Sequence, residues 1–158
     1  MKASLHAAIS LSAGAALYLY TASAVIALYS VVAGILLDID HIPDFILQAG
    51  IKHRAPKRAW RAFLGAKLPE LYLVLHSYEL LVILFLAGSL TGWNDTMLGI
   101  AAGALVHITL DQFSNSFKYG LKPYFYFLTI RAFKRFKKEA LTDIPGENQR
   151  EIDSMPPT

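Results

Sequence analysis

The sequence predicts an all-α fold, an integral membrane helical bundle of about four short helices followed by an interfacial helix near the C-terminus. Two observations lead to this prediction. Apolar residues form long uncharged blocks, of which the longest is the 31-residue run over residues 7–37. Most lysines and arginines lie in two intervals, residues 52–67 and 118–138. Apolar blocks that alternate with basic clusters are typical of multi-pass membrane proteins.

The composition supports this class. The chain has 158 residues, enough for one domain, and only 17% of them are charged, whereas a soluble domain typically has about a quarter. The hydrophobic share is 54%. There is no cysteine, which excludes both a disulfide framework and a thiolate metal site.

The first apolar block is too long for one membrane helix. A single helix over these 31 residues would extend about 46 Å, whereas the hydrocarbon core of a bilayer is about 30 Å thick. We therefore expect two short helices that break near residues 20–23. Glycine, alanine and serine recur in the block and would allow these helices to pack closely.

A cleaved signal peptide is the alternative interpretation of this block. Lys2 gives a basic start, and residues 22–24 (Ala-Ser-Ala) resemble a cleavage site. The apolar run, however, continues for thirteen residues beyond Ala24. A mature chain would then begin without a polar N-terminus, so we favour the two helices.

Turn residues predict the next elements. Residues 38–68 are polar and basic, and we expect a loop that includes a short surface helix near residues 58–64. Pro69 suits the first turn of a third helix, which continues to residue 90. The turn over residues 91–95 contains no lysine or arginine.

The C-terminal half follows the same logic. A fourth helix is predicted over residues 96–113 and is broken by the polar residues 114–116. Residues 119–136 are aromatic and basic, which is typical of a helix that lies at the headgroup level of a membrane. Residues 139–158 are rich in Pro, Glu, Asp and Ser and are predicted to be a disordered tail.

The basic intervals also predict location and partners. By the positive-inside rule they face the cytoplasm together with both termini, in a multi-pass protein of the inner membrane. Residues 1–138 would form the membrane-embedded metal-site domain. No nucleic-acid partner is expected, since such binding requires interleaved stacking aromatics and a recognisable fold. Membrane lipids are the expected partners, and the basic surface is also compatible with a phosphoester substrate or a protein partner.

Ionisable residues interrupt the apolar blocks where an up-down-up-down bundle brings four helix ends to one face. These residues are His6 at the start of the first helix, Asp38, Asp40 and His41 at the end of the second, His76 and Glu79 near the start of the third, and His107 and Asp111 near the end of the fourth. Ionisable groups inside membrane segments are costly and usually functional. The sequence therefore predicts one polar cluster at one end of the bundle.

The residue types in this cluster suit a metal. His107 and Asp111 are four residues apart and His76 and Glu79 three, so each pair would project from one face of a helix. Imidazole mixed with carboxylate favours zinc, manganese or iron over magnesium or calcium. We expect one or two divalent ions, zinc above all. The candidate ligands are His6, Asp40, His41, His76, His107 and Asp111.

Simpler interpretations exist for each residue. Both helical histidine–acid pairs are compatible with buried ion pairs, and a histidine as near the terminus as His6 is often solvated. Asp38 and Asp40 could be loop acids that mark the membrane exit. The coincidence of all these groups at one bundle end favours the metal.

Several motifs in the same order resemble a known family. Residues 36–45 (LLDIDHIPDF), 75–79 (LHSYE) and 103–115 (GALVHITLDQFSN), with the early His6, resemble the YdjM-like membrane-bound, metal-dependent hydrolases, some of which are described as LexA-binding inner-membrane proteins. The resemblance covers about residues 6–115. That family is distantly similar to zinc-dependent phospholipase C, an all-helical enzyme.

The resemblance implies specific roles. Asp40, His76, His107 and Asp111 would form one metal site, and His6 would approach a second metal that Asp111 bridges. The chain departs from the family where many members carry His-Arg-Gly-x-Thr-His-Ser, because only His76 and the following serine match. Glu79 is the candidate to replace the lost histidine.

These observations predict a membrane-bound, metal-dependent hydrolase that acts on a phosphoester in a lipid or another membrane-proximal substrate. Asp38 or Glu79 would accept a proton from the metal-activated water, and Lys52 and Arg54 would hold the substrate phosphate. The alternative is a non-enzymatic membrane scaffold or partner-binding protein with a structural metal or ion-pair cluster. A transporter is disfavoured, since its polar residues would lie near mid-membrane.

Overall fold

The computed structural model describes residues 3–49 and 70–143, and this part of the chain is all-helical, as predicted. Its helices are α1 (Ala3–Thr21), α2 (Ala24–Leu36), α3 (His41–Ala49), α4 (Tyr78–Thr91), α5 (Asp95–Tyr119), α6 (Leu128–Phe133) and α7 (Lys138–Leu141). A 3-10 turn, Leu37–Asp40, joins α2 to α3. The described residues form no β-strand, only two isolated β-bridges.

The first apolar block folds as two helices, which confirms the predicted break. Ala22 lies between them in a left-handed conformation with φ +54°. Ser23 begins α2 and accepts a hydrogen bond from the backbone N–H of Ile26, which satisfies a free donor of the first turn. The Ser23 hydroxyl also donates to the Asp95 carboxylate, so the α1–α2 junction is tied to the start of α5.

Small residues set the distance between α2 and α5, the most extensive helix pair of the described chain. A Cβ atom added to Gly99 would lie 2.7 Å from the Ile26 carbonyl oxygen, and one added to Gly103 would lie 2.2 Å from that of Ser30. The two backbones are therefore in direct contact. This is the small-residue packing expected for helices in a bilayer, where apolar side chains gain little by leaving lipid.

Three helix boundaries differ from the prediction. The chain remains helical beyond Asp38 instead of entering a loop. The helix expected to stop at 114–116 continues to Tyr119 and ends at Gly120, whose φ of +59° suits a glycine. The third helix begins at Tyr78 rather than Pro69, since buried side chains bind the backbone of residues 70–77.

The C-terminal segment also differs from the prediction. The interfacial helix predicted over residues 119–136 is reduced to α6, because Pro123 disfavours helix before it. Phe125 and Tyr126 are fully buried rather than exposed at headgroup level, and so is Arg131. Leu141 is buried as well, so the chain is still packed over residues 139–143, where the tail was predicted to begin. The rest of that predicted tail lies outside the described residues.

Two helical stretches, Ala24–Asp44 and Asp95–Phe117, are long and apolar enough to cross a membrane. Only 28% and 33% of their apolar windows are buried inside the protein, whereas the central helix of a soluble protein would be mostly covered. The shorter α4 also exposes large apolar side chains, among them Ile83, Phe85 and Leu90. Exposed apolar surface of this extent marks a membrane or partner contact.

Candidate metal centre

Polar side chains from four parts of the chain meet in one cluster. His6 comes from α1, Asp38 from the 3-10 turn, His76 from the residues just before α4, and His107 and Asp111 from α5. All of these side chains are buried except that of Asp38, which is 26% exposed. The cluster is therefore closed by protein on most sides and open beside Asp38.

Four donor atoms in this cluster form a compact tetrahedron. They are Asp38 Oδ1, His76 Nε2, His107 Nε2 and Asp111 Oδ2, and all lie within 4.8 Å of one another. The two imidazole nitrogens are 3.1 Å apart, and each lies 3.4–3.7 Å from each of the two carboxylate oxygens. A regular tetrahedron with edges of about 3.5 Å has its centre about 2.1 Å from each corner, and zinc binds imidazole and carboxylate at about 2.0–2.2 Å.

A second layer of groups orients the two central imidazoles. His107 Nδ1 lies 2.6 Å from the carbonyl oxygen of Gly34, so it donates a hydrogen bond there and leaves Nε2 free to bind a metal. His76 Nδ1 lies 3.0 Å from Asp40 Oδ1, while Asp40 Oδ2 accepts from the backbone N–H of Leu75 at 2.8 Å. Both rings thus present Nε2 to the centre of the cluster.

Several buried atoms here lack a hydrogen-bond partner among the described residues, namely Asp40 Oδ1, His76 Nδ1 and Asp111 Oδ1. Two of these atoms, His76 Nδ1 and Asp40 Oδ1, face each other at 3.0 Å. Buried polar atoms are normally satisfied, so such exceptions require a physical reason. The close neighbour of each atom supplies that reason, since the pairs His76–Asp40 and His6–Asp111 place opposite charges 3.0 Å apart when the histidine is protonated.

Negative charge dominates the surroundings of His76. Burial alone lowers the pKa of this imidazole, but the carboxylates of Asp38 and Asp40 outweigh that effect and raise the pKa to about 9. The cluster therefore attracts positive charge, as either a proton or a metal ion.

His6 and His41 lie beside the tetrahedron. His6 Nε2 is 3.0 Å from Asp111 Oδ1 and its ring stacks on that of His107, with centroids 4.7 Å apart. Asp111 thus faces the tetrahedron with one oxygen and His6 with the other. His41 Nε2 lies 3.7 Å from Asp38 Oδ1, and His41 forms a second close group with Asp40 and His76. The ligand roles predicted for His6 and His41 stay predictions.

Glu79 occupies a different place from the one its spacing predicted. Its carboxylate accepts hydrogen bonds from the backbone N–H groups of Leu128 and Thr129, at 2.8 and 2.9 Å, and from the Thr129 hydroxyl. Glu79 therefore caps the start of α6. It shares no helical face with His76, because His76 precedes α4, and among the described residues it belongs to neither close group of metal-binding side chains.

The two neighbouring aspartates take different places. Asp38 belongs to the close group with His76, His107 and Asp111, whereas Asp40 stands behind His76 and belongs to the close group with His41 and His76. The roles predicted for them, Asp40 as a ligand and Asp38 as the base, stay predictions. Spacing could not distinguish them, since the sense of the 3-10 turn decides which carboxylate faces inward. No pattern in the sequence indicated a role for Arg131. The predicted phosphate ligands Lys52 and Arg54 lie outside the described residues.

No known protein family, curated protein or solved structure matches this chain. Function has to be inferred from the chemistry of the cluster itself.

Proposed function

We propose that this protein is a membrane-bound, metal-dependent hydrolase that cleaves a phosphoester at the membrane surface. The observation that carries the proposal is the donor set of two imidazoles and two carboxylates with one partly exposed corner at Asp38. Structural zinc sites are built mainly from cysteine, whereas hydrolytic sites use histidine and carboxylate and keep one position open. The resemblance of the three motifs to membrane-bound hydrolases points the same way.

Each residue has a role in this proposal. His76, His107 and Asp111 would hold the ion, because their side chains are buried and their outer atoms face Asp40, the Gly34 carbonyl and His6 respectively. A bound divalent metal lowers the pKa of its water and polarises a phosphoryl oxygen. Asp38 lies at the exposed corner, where water and substrate would enter, and its carboxylate would accept the proton. His41 lies beside Asp38 and would pass that proton outward.

The membrane setting follows from the apolar surface and the positions of the cluster residues. The cluster lies beyond the C-terminal end of α2 and in the C-terminal half of α5, from its midpoint at His107 to Asp111, whereas the α4–α5 turn precedes the N-terminus of α5. The basic interval 52–67 adjoins the cluster end in sequence, so the cluster would face the cytoplasm in a multi-pass protein of the inner membrane. Reporter fusions at Gly50 and after Glu139 should both report a cytoplasmic location, and a periplasmic signal at either would contradict this orientation.

A second function is favoured by one specific observation: the four protein donors already complete a tetrahedron. In that arrangement the ion would be structural and the protein a scaffold, with no vacant position for water.

Turnover separates the two functions. Purified full-length protein loaded with zinc should hydrolyse at least one of p-nitrophenyl phosphate, bis-p-nitrophenyl phosphate and phospholipid vesicles. A chelator should abolish the activity, and Asp38→Ala should reduce it more than it reduces bound metal. A protein that holds its metal but leaves all three substrates intact would establish the scaffold.

A further inference from the structure

Arg131 is the largest fully buried side chain in the described part of the chain. Burial lowers the pKa of its guanidinium to about 10, so it is still charged at neutral pH. Its hydrogen-bond partners among the described residues are backbone carbonyls rather than a carboxylate. It donates to the carbonyl oxygens of Tyr72, Leu73 and His76, at 2.7, 2.9 and 2.9 Å.

These three carbonyls belong to one segment, which we call the His76 loop (residues 70–77). Two N–H groups of the same loop donate to carboxylates. Asp44 accepts from Tyr72 at 2.9 Å and Asp40 accepts from Leu75 at 2.8 Å. A cation thus binds three carbonyl oxygens of the loop, and two anions bind two of its N–H groups.

The loop needs such support because its backbone is strained. Leu73 adopts φ +38°, a left-handed conformation that costs a leucine free energy and persists only where the surroundings impose it. The Arg131 guanidinium binds the carbonyls of Leu73 itself and of the residue before it. A planar guanidinium can reach several acceptors at fixed angles, whereas a lysine ammonium is a point donor.

We propose that Arg131 is a positioning residue for the metal centre: it fixes the His76 loop and thereby aims His76 at the other three ligands. The α6 helix, which no sequence motif connects with the cluster, then becomes part of the metal-binding unit. Phe125 covers the guanidinium, with its ring centroid 5.3 Å from the Arg131 Cζ, and excludes water from the hydrogen bonds. This inference rests on the proposed metal site.

The test compares Arg131→Met and Arg131→Lys with Thr129→Val in purified full-length protein. Thr129→Val is the matched control, because it removes a hydrogen bond from the same short helix without touching the His76 loop. Cobalt(II) is the probe, and both its dissociation constant and its visible spectrum are measured. We expect Arg131→Met to weaken cobalt binding about 10- to 100-fold, the range seen for outer groups of metal sites, and to change the spectrum.

The charge-conserving variant separates geometry from folding. Arg131→Lys should fold but still bind cobalt several-fold more weakly, whereas Thr129→Val should keep the wild-type constant and spectrum even if its thermal stability falls. A folded Arg131 variant with wild-type cobalt affinity and spectrum would overturn the inference.

Amide hydrogen exchange keeps the inference testable if the wild type binds no cobalt, a result that would refute the metal site. Exchange over residues 72–77 should then be faster in Arg131→Lys than in Thr129→Val. Equal exchange in the two variants would refute the positioning role.

Discussion

Replacing Asp40 with asparagine should weaken metal binding while leaving the fold in place. Asp40 uses its two oxygens differently, since Oδ2 accepts from the Leu75 N–H at 2.8 Å and Oδ1 faces His76 Nδ1 at 3.0 Å. Asparagine has the same shape but only one acceptor oxygen. If that oxygen stays on Leu75, the amide nitrogen faces His76 Nδ1 and favours the tautomer whose proton sits on Nε2. That tautomer cannot bind a metal through Nε2, the nitrogen that faces the cluster.

The expected loss is about 10- to 100-fold in affinity, the usual effect of removing the carboxylate behind a metal-binding histidine. This equals about 1.4–2.7 kcal/mol of binding free energy. The control is Asp44→Asn. Asp44 also accepts a hydrogen bond from the His76 loop, at Tyr72, and the asparagine oxygen can keep that hydrogen bond. Within the part of the chain that the structure describes, no hydrogen bond or ion pair joins Asp44 to a histidine.

Competition titration of zinc against a chelator in detergent measures both variants. The prediction is a large loss for Asp40→Asn and a change of less than about threefold for Asp44→Asn. Equal affinities for wild type and Asp40→Asn would show that Asp40 does not orient His76, and the two-layer description of the site would be wrong.

Three further predictions concern packing, protons and capping. Gly103→Val should lower the free energy of unfolding by about 1–3 kcal/mol, because its Cβ would meet the Ser30 backbone. Gly88→Ala should cost less in the same denaturation assay, because the atoms nearest to its Cβ belong to the partly exposed Trp93 side chain rather than to backbone. Zinc affinity should rise with pH up to about pH 9, because His76 is protonated below its raised pKa and must lose that proton before it binds the metal. A zinc affinity that does not change from pH 6 to 9 would contradict this. Glu79→Gln should lower the melting temperature, because it weakens the cap of α6 by about 0.5–2 kcal/mol, and it should leave the metal content unchanged. Loss of turnover at unchanged stability would instead support the catalytic role that the spacing predicted.

The sequence contained enough information for the helices of the bundle and for the meeting of their polar ends. Local signals in the sequence predict the helices and their boundaries. These signals are the uncharged blocks, the break before Ser23 and the turn before Asp95. Alternation of helix direction then brought His6, His76 and Asp111 to one end without any knowledge of contacts.

What the sequence could not provide depends on tertiary contacts. The composition of residues 70–77 predicts a helix, but Asp40, Asp44 and Arg131 form hydrogen bonds with their backbone groups and hold the segment as a loop. Aromatic and basic residues alternate around Phe125, which predicts a helix at the membrane interface. Only the packing of the folded chain shows that this segment is buried. Long-range partners of this kind leave no periodic signal along the chain.

The most direct test of the metal centre is X-ray absorption spectroscopy of the zinc-loaded protein, with His107→Ala for comparison. Four nitrogen and oxygen neighbours at about 2.0–2.2 Å are expected in the wild type, including the scattering pattern of two imidazoles. His107→Ala should lose one imidazole and most of the bound zinc. A wild-type protein that binds no zinc, or a His107→Ala variant with an unchanged spectrum, would contradict a metal site held by His76, His107 and Asp111 with Asp38 at its open corner.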